Sequence, residues 1–232
     1  MGVIKLILLI IWSVFCISLS LVVLLFTFNR KYALMMARTL WAPGVLFIIG
    51  IRPVIKGLEN LNTKKTYIIM SNHASFLDIP LLFKTIPFNI HFIAKKELKK
   101  VPFLGWYMWA TDMIFIDRKN TKEAKKSLDD ACNLIRNGKT VLIFPEGTVS
   151  ENGNIKRFKK GGMHIAMQSG VDILPIAHKG THIVWPDEKN TVFKKHPVSV
   201  NIGKPISVNQ FSSINDLTVY VKSVIEKLHE QM

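Results

Sequence analysis

His73 and Asp78 are the residues whose types and spacing best suit this chain for chemistry. They lie five positions apart, just after the apolar run Tyr67–Met70, where a strand would end. A neutral imidazole accepts a proton near neutral pH, and a carboxylate bound to its other nitrogen fixes the tautomer and stabilises the imidazolium. A core histidine and a helix-capping aspartate at this spacing are also common, so the pair alone leaves both interpretations open.

The sequence has no serine or cysteine in a nucleophile-elbow setting beside this pair. The predicted chemistry is therefore general-base catalysis, with the histidine acting directly on a substrate hydroxyl. We interpret the remaining histidines as structural, because none has convincing metal-ligand spacing: His91, His164, His178, His182, His196 and His229. We predict no metal and no cofactor.

A formal net charge of +15 over 232 residues predicts an anionic partner. The first 50 residues contain no carboxylate and contribute only Lys5, Arg30, Lys31 and Arg38, so the remainder holds +11. Anionic lipid and phosphorylated or acidic substrates fit this charge. Nucleic acid does not, because no binding motif is present and the aromatic residues lie mostly within apolar runs.

An uncharged stretch of 23 residues, from Leu6 to Phe28, is long enough to cross a bilayer as a helix. A cleaved signal peptide is the alternative, but the apolar region is long and no small-x-small cleavage site follows it cleanly. The cations after the stretch outnumber those before it, which predicts that the rest of the chain lies on the cytoplasmic face. A second apolar stretch, Trp41 to Ile51, is too short to span and is either an interfacial element or part of the core that follows.

From Thr66 onward, apolar runs alternate with helical patterns, which predicts an α/β domain with a mixed, largely parallel sheet flanked by helices. We place this domain at residues 51–232, after an N-terminal membrane-embedded segment at residues 1–50. Helices are predicted from Ala124 to Gly138, from Gly161 to Gly170 and from Ile214 to Leu228. The predicted strands are Tyr67–Met70, His91–Ala94, Met113–Ile116, Val141–Phe144, Ile173–Ile176 and Val198–Ile202.

Polar residues follow three of these strands: His73 the first, Asp117 and Arg118 the third, and Glu146 the fourth. In such sheets, ligands bind at the carboxyl ends of the strands. Three polar clusters at three strand ends therefore predict one site.

Sequence blocks at these strand ends resemble the 1-acylglycerol-3-phosphate acyltransferase family, membrane glycerolipid acyltransferases with an H-x4-D motif. The resemblance extends from about residue 50 to about residue 205 and depends on the order and spacing of the blocks. In chain order the blocks are Asn72–Asp78, Ala94–Leu98, Phe115–Arg118, Phe144–Thr148, Phe158–Gly162 and Ile173–Ile176.

This resemblance implies transfer of a fatty acyl group from acyl-CoA or acyl carrier protein to the sn-2 hydroxyl of 1-acylglycerol-3-phosphate, giving phosphatidate. The resemblance also implies that His73 takes the proton from the acceptor hydroxyl, that Asp78 orients His73, and that no acyl-enzyme forms. The residues implied to bind substrate are Lys95, Arg118, Glu146, Gly147, Thr148 and Lys160.

The implied binding roles each have a structural alternative. Arg118 has a fork of donors suited to the acceptor phosphate, or it forms a surface pair with Asp117. Lys95 belongs near the acyl group or oxyanion, or it is a solvated charge. Glu146 can bond the glycerol hydroxyls and Gly147 can present backbone N–H groups, or both belong to a simple turn.

One position departs from the family pattern. The family usually has an arginine directly after Glu-Gly-Thr, where it helps to bind the acceptor phosphate, and this chain has Val149. Either Arg157, Lys159 or Lys160 supplies the missing charge, or the acceptor is another lysolipid, such as a lyso-ornithine lipid. A non-catalytic basic protein that tethers acidic lipids or nucleic acid to a membrane is a further alternative, but it does not explain the ordered polar blocks.

Overall fold

The computed structural model describes residues 2–117, 121–150, 152–186 and 192–232, with the backbone alone for residues 121–125. The helices in these ranges are α1 (Gly2–Thr27), α2 (Arg30–Met36), α3 (Ala42–Ile49), α4 (Asp78–Thr85), α5 (Leu104–Ala110), α6 (Thr121–Arg136), α7 (Gly161–Ser169), α8 (Thr181–Val184) and α9 (Ile214–Glu230). A π-helical segment, Ala37–Trp41, joins α2 to α3. The strands are β1 (Val54–Lys56), β2 (Ile68–Ser71), β3 (Ile90–Lys95), β4 (Ile114–Ile116), β5 (Thr140–Ile143), β6 (Ile173–Lys179) and β7 (Ser199–Ile202).

The strands form one sheet in the order β1-β7-β6-β2-β5-β3-β4. Neighbouring strands are parallel except β6 and β7, which are antiparallel. The predicted mixed, largely parallel sheet is therefore confirmed. Because β2 to β6 run in one direction, their carboxyl ends meet at one edge, and the residues that follow them gather there.

Alternate residues of the central strands enter two hydrophobic layers. Ile68 and Met70 pack in a layer with residues of α6, α7 and α9. Ile69, which points to the opposite face, packs in a layer with residues of α3 and α4. A strand covered on both faces has a nearly continuous apolar sequence, which is why these strands could be predicted.

The six predicted strands are confirmed, and β6 continues beyond its predicted end to Lys179. The edge strand β1 was not predicted, because its three residues include an exposed Val54 and an exposed Lys56 and form no buried run. The predicted helices correspond to α6, α7 and α9. Gly138, with φ of 81°, follows α6 as expected for a helix end.

The apolar helix α1 is long enough to cross a bilayer, and so is the helical stretch Arg30–Ile49. Only 17% of the apolar window of α1 is buried, less than expected for a core helix. Its exposed surface is formed by large apolar side chains such as Ile4, Ile11 and Phe26. These helices indicate association with a membrane.

The second apolar stretch is longer than predicted, because α2, the π-helical segment and α3 form one helical run. The prediction that this region is too short to span was therefore wrong about its length. One face of α3 belongs to the hydrophobic core, as one of the two interpretations of this stretch predicted: Val45, Leu46 and Ile49 are buried. The opposite face is open, since Phe47 is 84% exposed.

The N-terminal helices bond to one another and pack against the rest of the chain. The ammonium of Lys5 donates to the carbonyl of Ile49 (2.8 Å), and the indole of Trp12 donates to the carbonyl of Trp41 (3.1 Å). Gly44 lets the helices approach, because a Cβ at this position would lie 2.2 Å from the Trp12 ring. Residues of α1, α2 and α3 share one hydrophobic layer with the sheet. The division of the chain at residues 50 and 51 stays a prediction.

Candidate active site

His73 and Asp78 lie in direct contact. His73 follows β2 and Asp78 begins α4, and Nδ1 of the imidazole is 2.8 Å from Oδ2 of the carboxylate. An ionised carboxylate only accepts hydrogen bonds, so Nδ1 carries the proton and Nε2 keeps its lone pair. The Asp78 side chain is fully buried, and that of His73 is 14% exposed. The imidazole is therefore oriented as a base.

The environment of Asp78 keeps this carboxylate ionised. Its Oδ2 also accepts hydrogen bonds from the backbone N–H groups of Ala74 (2.7 Å) and Ser75 (2.9 Å). Burial opposes ionisation, but the nearby His178, the hydrogen bond from His73 and the backbone bond from Ser75 together outweigh it. The pKa of Asp78 consequently lies below its ordinary value.

The loop after β5 holds His73 from the other side. The Phe144 ring stacks on the imidazole, with centroids 4.0 Å apart and planes at 13°. The backbone N–H of His73 donates to Oε1 of Glu146 (2.8 Å), and its carbonyl accepts from the N–H of Ser150 (2.8 Å). One ring face and both backbone polar groups of His73 are thus fixed by this loop.

Glu146 is a clamp between backbone segments. Its second oxygen, Oε2, accepts from the N–H of Lys156 (2.8 Å), and the residue is 3% exposed. Burial raises the pKa of Glu146 above its ordinary value, although both backbone bonds oppose this shift. Because both oxygens bond backbone groups in a buried setting, the placement does not support the expected contact with glycerol hydroxyls.

Gly147 lies in a simple turn, which was the alternative to a role in binding substrate. Its φ is 73°, a left-handed conformation that favours glycine, and its N–H donates to the carbonyl of Phe144 (3.0 Å). This bond turns the N–H inward, so the expectation that it faces phosphate or oxyanion is not supported. Thr148, the next residue, is exposed.

Two lysines border this turn. A Cβ on Gly147 would lie 2.9 Å from Nζ of Lys159, so the Lys159 side chain crosses the glycine. The ammonium of Lys156 donates to the carbonyl of Val149 (2.9 Å). Two ammonium groups therefore lie near Val149, the position where the family usually has an arginine. Lys159 was one of the predicted substitutes, whereas Lys156 was not predicted.

Two of the remaining predicted binding residues, Lys95 and Lys160, are exposed. Lys95 ends β3 with its exposed ammonium 3.5 Å from Glu97. Lys160 is exposed at the start of α7. Arg118, the predicted phosphate clamp, lies outside the described residues, as does any pairing that it makes with Asp117.

His178 of β6 reaches the site, although its position in the sequence predicted only a structural histidine. Its Nε2 lies 2.7 Å from the carbonyl oxygen of Asn72 and 3.5 Å from Oδ2 of Asp78. The Asn72 side chain bonds the backbone of His178 twice, donating to its carbonyl and accepting from its N–H (both 3.0 Å). These residues are more than a hundred positions apart, and only the adjacency of β2 and β6 brings them together.

The site residues lie within a segment shared with a known family. The family model described as Acyltransferase matches residues 52–179, more than half of the chain. The chain belongs to the acyltransferase family. It is similar to the 1-acyl-sn-glycerol-3-phosphate acyltransferase of Saccharomyces cerevisiae, at 36% identity over 80% of this chain and 60% of that protein. The corresponding Borreliella burgdorferi protein is 31% identical, over 78% of this chain and 73% of its own.

A solved structure extends the similarity to the whole fold. The crystal structure of the 1-acyl-sn-glycerophosphate (LPA) acyltransferase PlsC from Thermotoga maritima matches with a TM-score of 0.86 and 26% identity, covering 100% of this chain and 95% of the other. This acyltransferase chain nevertheless spans only 60 to 63% of the length of the first curated relatives it matches.

An apolar cavity of about 500 Å³ adjoins the site of this acyltransferase. Phe76 and Leu77, from the loop between His73 and Asp78, line it together with Trp185, and α1 forms a wall from Leu6 to Ser20. Ser75, in the same loop, donates its hydroxyl to the carbonyl of Trp185 (3.2 Å). The cavity therefore begins at the loop between His73 and Asp78 and continues along α1.

Proposed function

We propose that the protein is a 1-acylglycerol-3-phosphate O-acyltransferase, which moves a fatty acyl group from an acyl thioester to the sn-2 hydroxyl and produces phosphatidate. The observation that carries this proposal is the 2.8 Å contact between His73 and Asp78, which leaves Nε2 of the imidazole as a base. The family, the relatives and the apolar cavity supply the substrate class.

In the proposed reaction, Nε2 of His73 takes the proton of the acceptor hydroxyl while that oxygen attacks the thioester carbonyl carbon. The tetrahedral intermediate then collapses, the carbon–sulfur bond breaks, and the imidazolium returns its proton to the leaving thiolate. Asp78 stabilises the imidazolium between these steps. A positioned base contributes about 10²–10⁴-fold, so the orientation of both substrates must contribute much of the remaining acceleration.

Lys156 and Lys159 are the described cations best placed to bind the phosphate of the acceptor. Both border the turn at Gly147, whose loop also holds His73. Arg118 remains a candidate for the same phosphate. An ammonium binds phosphate as a point charge, so these lysines can replace an arginine at this position with less directional recognition.

The apolar cavity is the proposed binding site of an acyl chain, and α1 is the proposed membrane anchor. A chain that enters from the bilayer along α1 would reach the catalytic loop without crossing water. The cations that follow α1, Arg30, Lys31 and Arg38, favour a site on the cytoplasmic face. Acyl-CoA and acyl carrier protein are both anionic and both suit the basic chain as donors.

Val149 supports a second candidate, the same chemistry on a lysolipid without a phosphate monoester, such as a lyso-ornithine lipid. The two candidates differ in what the cations near Gly147 must bind. A phosphate-bearing acceptor needs them, and a phosphate-free acceptor does not.

The test uses the purified full chain in lipid nanodiscs, with matched acyl-CoA and acyl carrier protein donors and a panel of lysophosphatidate, lysophosphatidylcholine and lyso-ornithine lipid acceptors. Mass spectrometry detects the products. We expect phosphatidate from the wild type and none above background from His73→Ala at an unchanged melting temperature. Turnover retained in His73→Ala would refute the base assignment, and preference for the lyso-ornithine lipid would favour the second candidate.

A further inference from the structure

His178 is the one histidine in the described part of the chain, besides His73, that contacts the Asp78 carboxylate. It is fully buried in β6, with Nε2 directed between the Asn72 carbonyl (2.7 Å) and Oδ2 of Asp78 (3.5 Å). A carbonyl and an ionised carboxylate can only accept, so Nε2 of His178 carries a proton. The Thr181 hydroxyl lies 3.5 Å from the other ring nitrogen, Nδ1.

The bond from His178 acts on the peptide that carries His73. The Asn72 carbonyl belongs to the peptide group whose N–H is that of His73, and this N–H is held by Glu146. The peptide is therefore gripped at both ends, by the His178 ring and by the Glu146 carboxylate. Rotation of this peptide would move the imidazole relative to the acceptor hydroxyl.

We propose that His178 is a positioning residue for acyl transfer: its Nε2–H fixes the peptide before His73 and shares the negative charge of Asp78. The proposal rests on the proposed function, since it concerns the same base. It assigns a role to a side chain that makes no contact with the substrate. Asp78 then lies between two imidazoles: His73, which takes the proton, and His178, which fixes the peptide before His73.

The proposal predicts that the loss of the His178 ring bond affects the chemical step and spares binding. Without this N–H, the peptide before His73 is held only by Glu146, so the imidazole is less often aimed at the acceptor hydroxyl. His178 is fully buried and is not proposed to contact either substrate, so both KM values should stay in place.

The contacts permit a variant that removes the ring bond and keeps the fold. Both hydrogen bonds from the Asn72 side chain go to backbone atoms of His178, so they persist whatever side chain stands there. His178→Leu keeps the volume without a donor. His178→Gln restores an N–H at similar reach. His91→Leu is the matched control, because His91 is a buried strand histidine in β3 with no bond to His73 or Asp78.

The experiment measures kcat, both KM values and the melting temperature for the wild type and these three variants. We expect His178→Leu to lower kcat about 10- to 100-fold with each KM within about two-fold. His178→Gln should restore most of the lost kcat, and His91→Leu should leave kcat and KM unchanged. An unchanged kcat in His178→Leu, or a loss of activity that follows only the loss of folded protein, overturns the proposal.

A spectroscopic arm separates this proposal from the proposed function. Histidine labelled with ¹⁵N reports the ring environment of His73 through its ¹⁵N chemical shifts in NMR, without any turnover. If the wild type transfers no acyl group, the proposed function fails. The positioning role is then judged by whether the ring ¹⁵N shifts of His73 at one fixed pH change in His178→Leu and return in His178→Gln. Identical ring shifts in both variants and the wild type would exclude it.

Discussion

The imidazole of His73 lies flat against the ring of Phe144, with centroids 4.0 Å apart and planes only 13° from parallel. The bond to Asp78 fixes the ring nitrogens, but the ring could still tilt about that bond. The aromatic surface limits this tilt, so Nε2 keeps one direction. Phe144 follows β5, and Asp78 begins the helix after β2, so two neighbouring strands share the orientation of the base.

Replacement of Phe144 should therefore affect the chemical step and leave binding largely intact. We expect Phe144→Leu to lower kcat about 2- to 10-fold, since an aromatic pair contributes about 0.5–1.5 kcal/mol beyond its buried area. Phe144→Tyr retains a ring and should stay close to the wild type. Steady-state kinetics with both substrates varied would show this. A rise in KM at constant kcat would instead place Phe144 in substrate binding.

Asp78→Asn should abolish most activity while the chain still folds. The amide oxygen can take the place of Oδ2 and accept from the N–H groups of Ala74 and Ser75 and from Nδ1 of His73. The amide is neutral, however, so it no longer stabilises the imidazolium that forms when His73 takes the proton. We expect a loss of kcat of about 10²–10⁴-fold. Near-normal turnover in this variant would show that the negative charge of Asp78 does not matter.

The lysines beside Gly147 should act on the acceptor phosphate. Lys159→Met and Lys156→Met are each expected to raise the KM for lysophosphatidate about 10-fold, because each removes one charge–phosphate contact. Turnover on a phosphate-free acceptor should change little. Lys204→Met is the control, since Lys204 is an exposed lysine that follows β7, and β6 and β2 separate β7 from β5 and its Gly147 loop. An equal rise in KM in all three variants would show that the net charge of the protein, and not a contact with the phosphate, determines binding.

Most of the fold could be predicted from the sequence, because strands buried on both faces consist of consecutive apolar residues. Ile68, Ile69 and Met70 are all fully buried, so β2 appears as an uninterrupted run between polar residues. The helix α3 was harder to predict. Pro43 and Gly44 suggest a break, yet the helical run continues through both: Pro43 lies just after the π-helical segment Ala37–Trp41, and Gly44 makes room for Trp12.

The candidate site could be predicted only in part. His73 and Asp78 are near neighbours in sequence, so their contact follows from local structure. The role of His178 depends on β6 lying beside β2, and strand order has no signature in composition or spacing. Glu146 was found, but its two backbone partners were not, because they depend on how the loop closes over His73.

His91 should make folding sensitive to acid. Burial, reinforced by the charge of Lys139, lowers the pKa of His91 from 6.5 to about 4. The unfolded chain therefore takes up a proton at higher pH than the folded protein. The stability that the neutral ring contributes is complete above 6.5 and is lost as the pH falls towards about 4.

Chemical denaturation of the wild type and His91→Leu at about pH 7 and at about pH 4 tests this. The wild type should lose about 3 kcal/mol more of its unfolding free energy over this interval than the variant, the order of magnitude of the full shift. Other acid-sensitive groups are common to both proteins and cancel in the difference. Parallel losses in the two proteins would show that His91 does not titrate across folding.

The last prediction concerns the apolar cavity and uses two adjacent residues of α1. Ile10 lines the cavity and Ile11 does not, although their exposed fractions are similar, 56% and 60%. Tryptophan at either position therefore adds similar bulk to the exposed helix. Only Ile10→Trp can place that bulk inside the cavity, where it would shorten the space for an acyl chain.

We expect Ile10→Trp to shift the preferred substrates to acyl chains shorter by a few carbons, with Ile11→Trp unchanged. Competition among acyl-CoA donors and among lysophosphatidates of graded length, read by mass spectrometry, would also identify which substrate's chain occupies the cavity. A shift on the donor side alone assigns the cavity to the transferred chain, and a shift on the acceptor side alone assigns it to the resident chain. Identical length preferences in both variants and the wild type would mean that neither chain binds there, and the proposed entry along α1 would then be wrong.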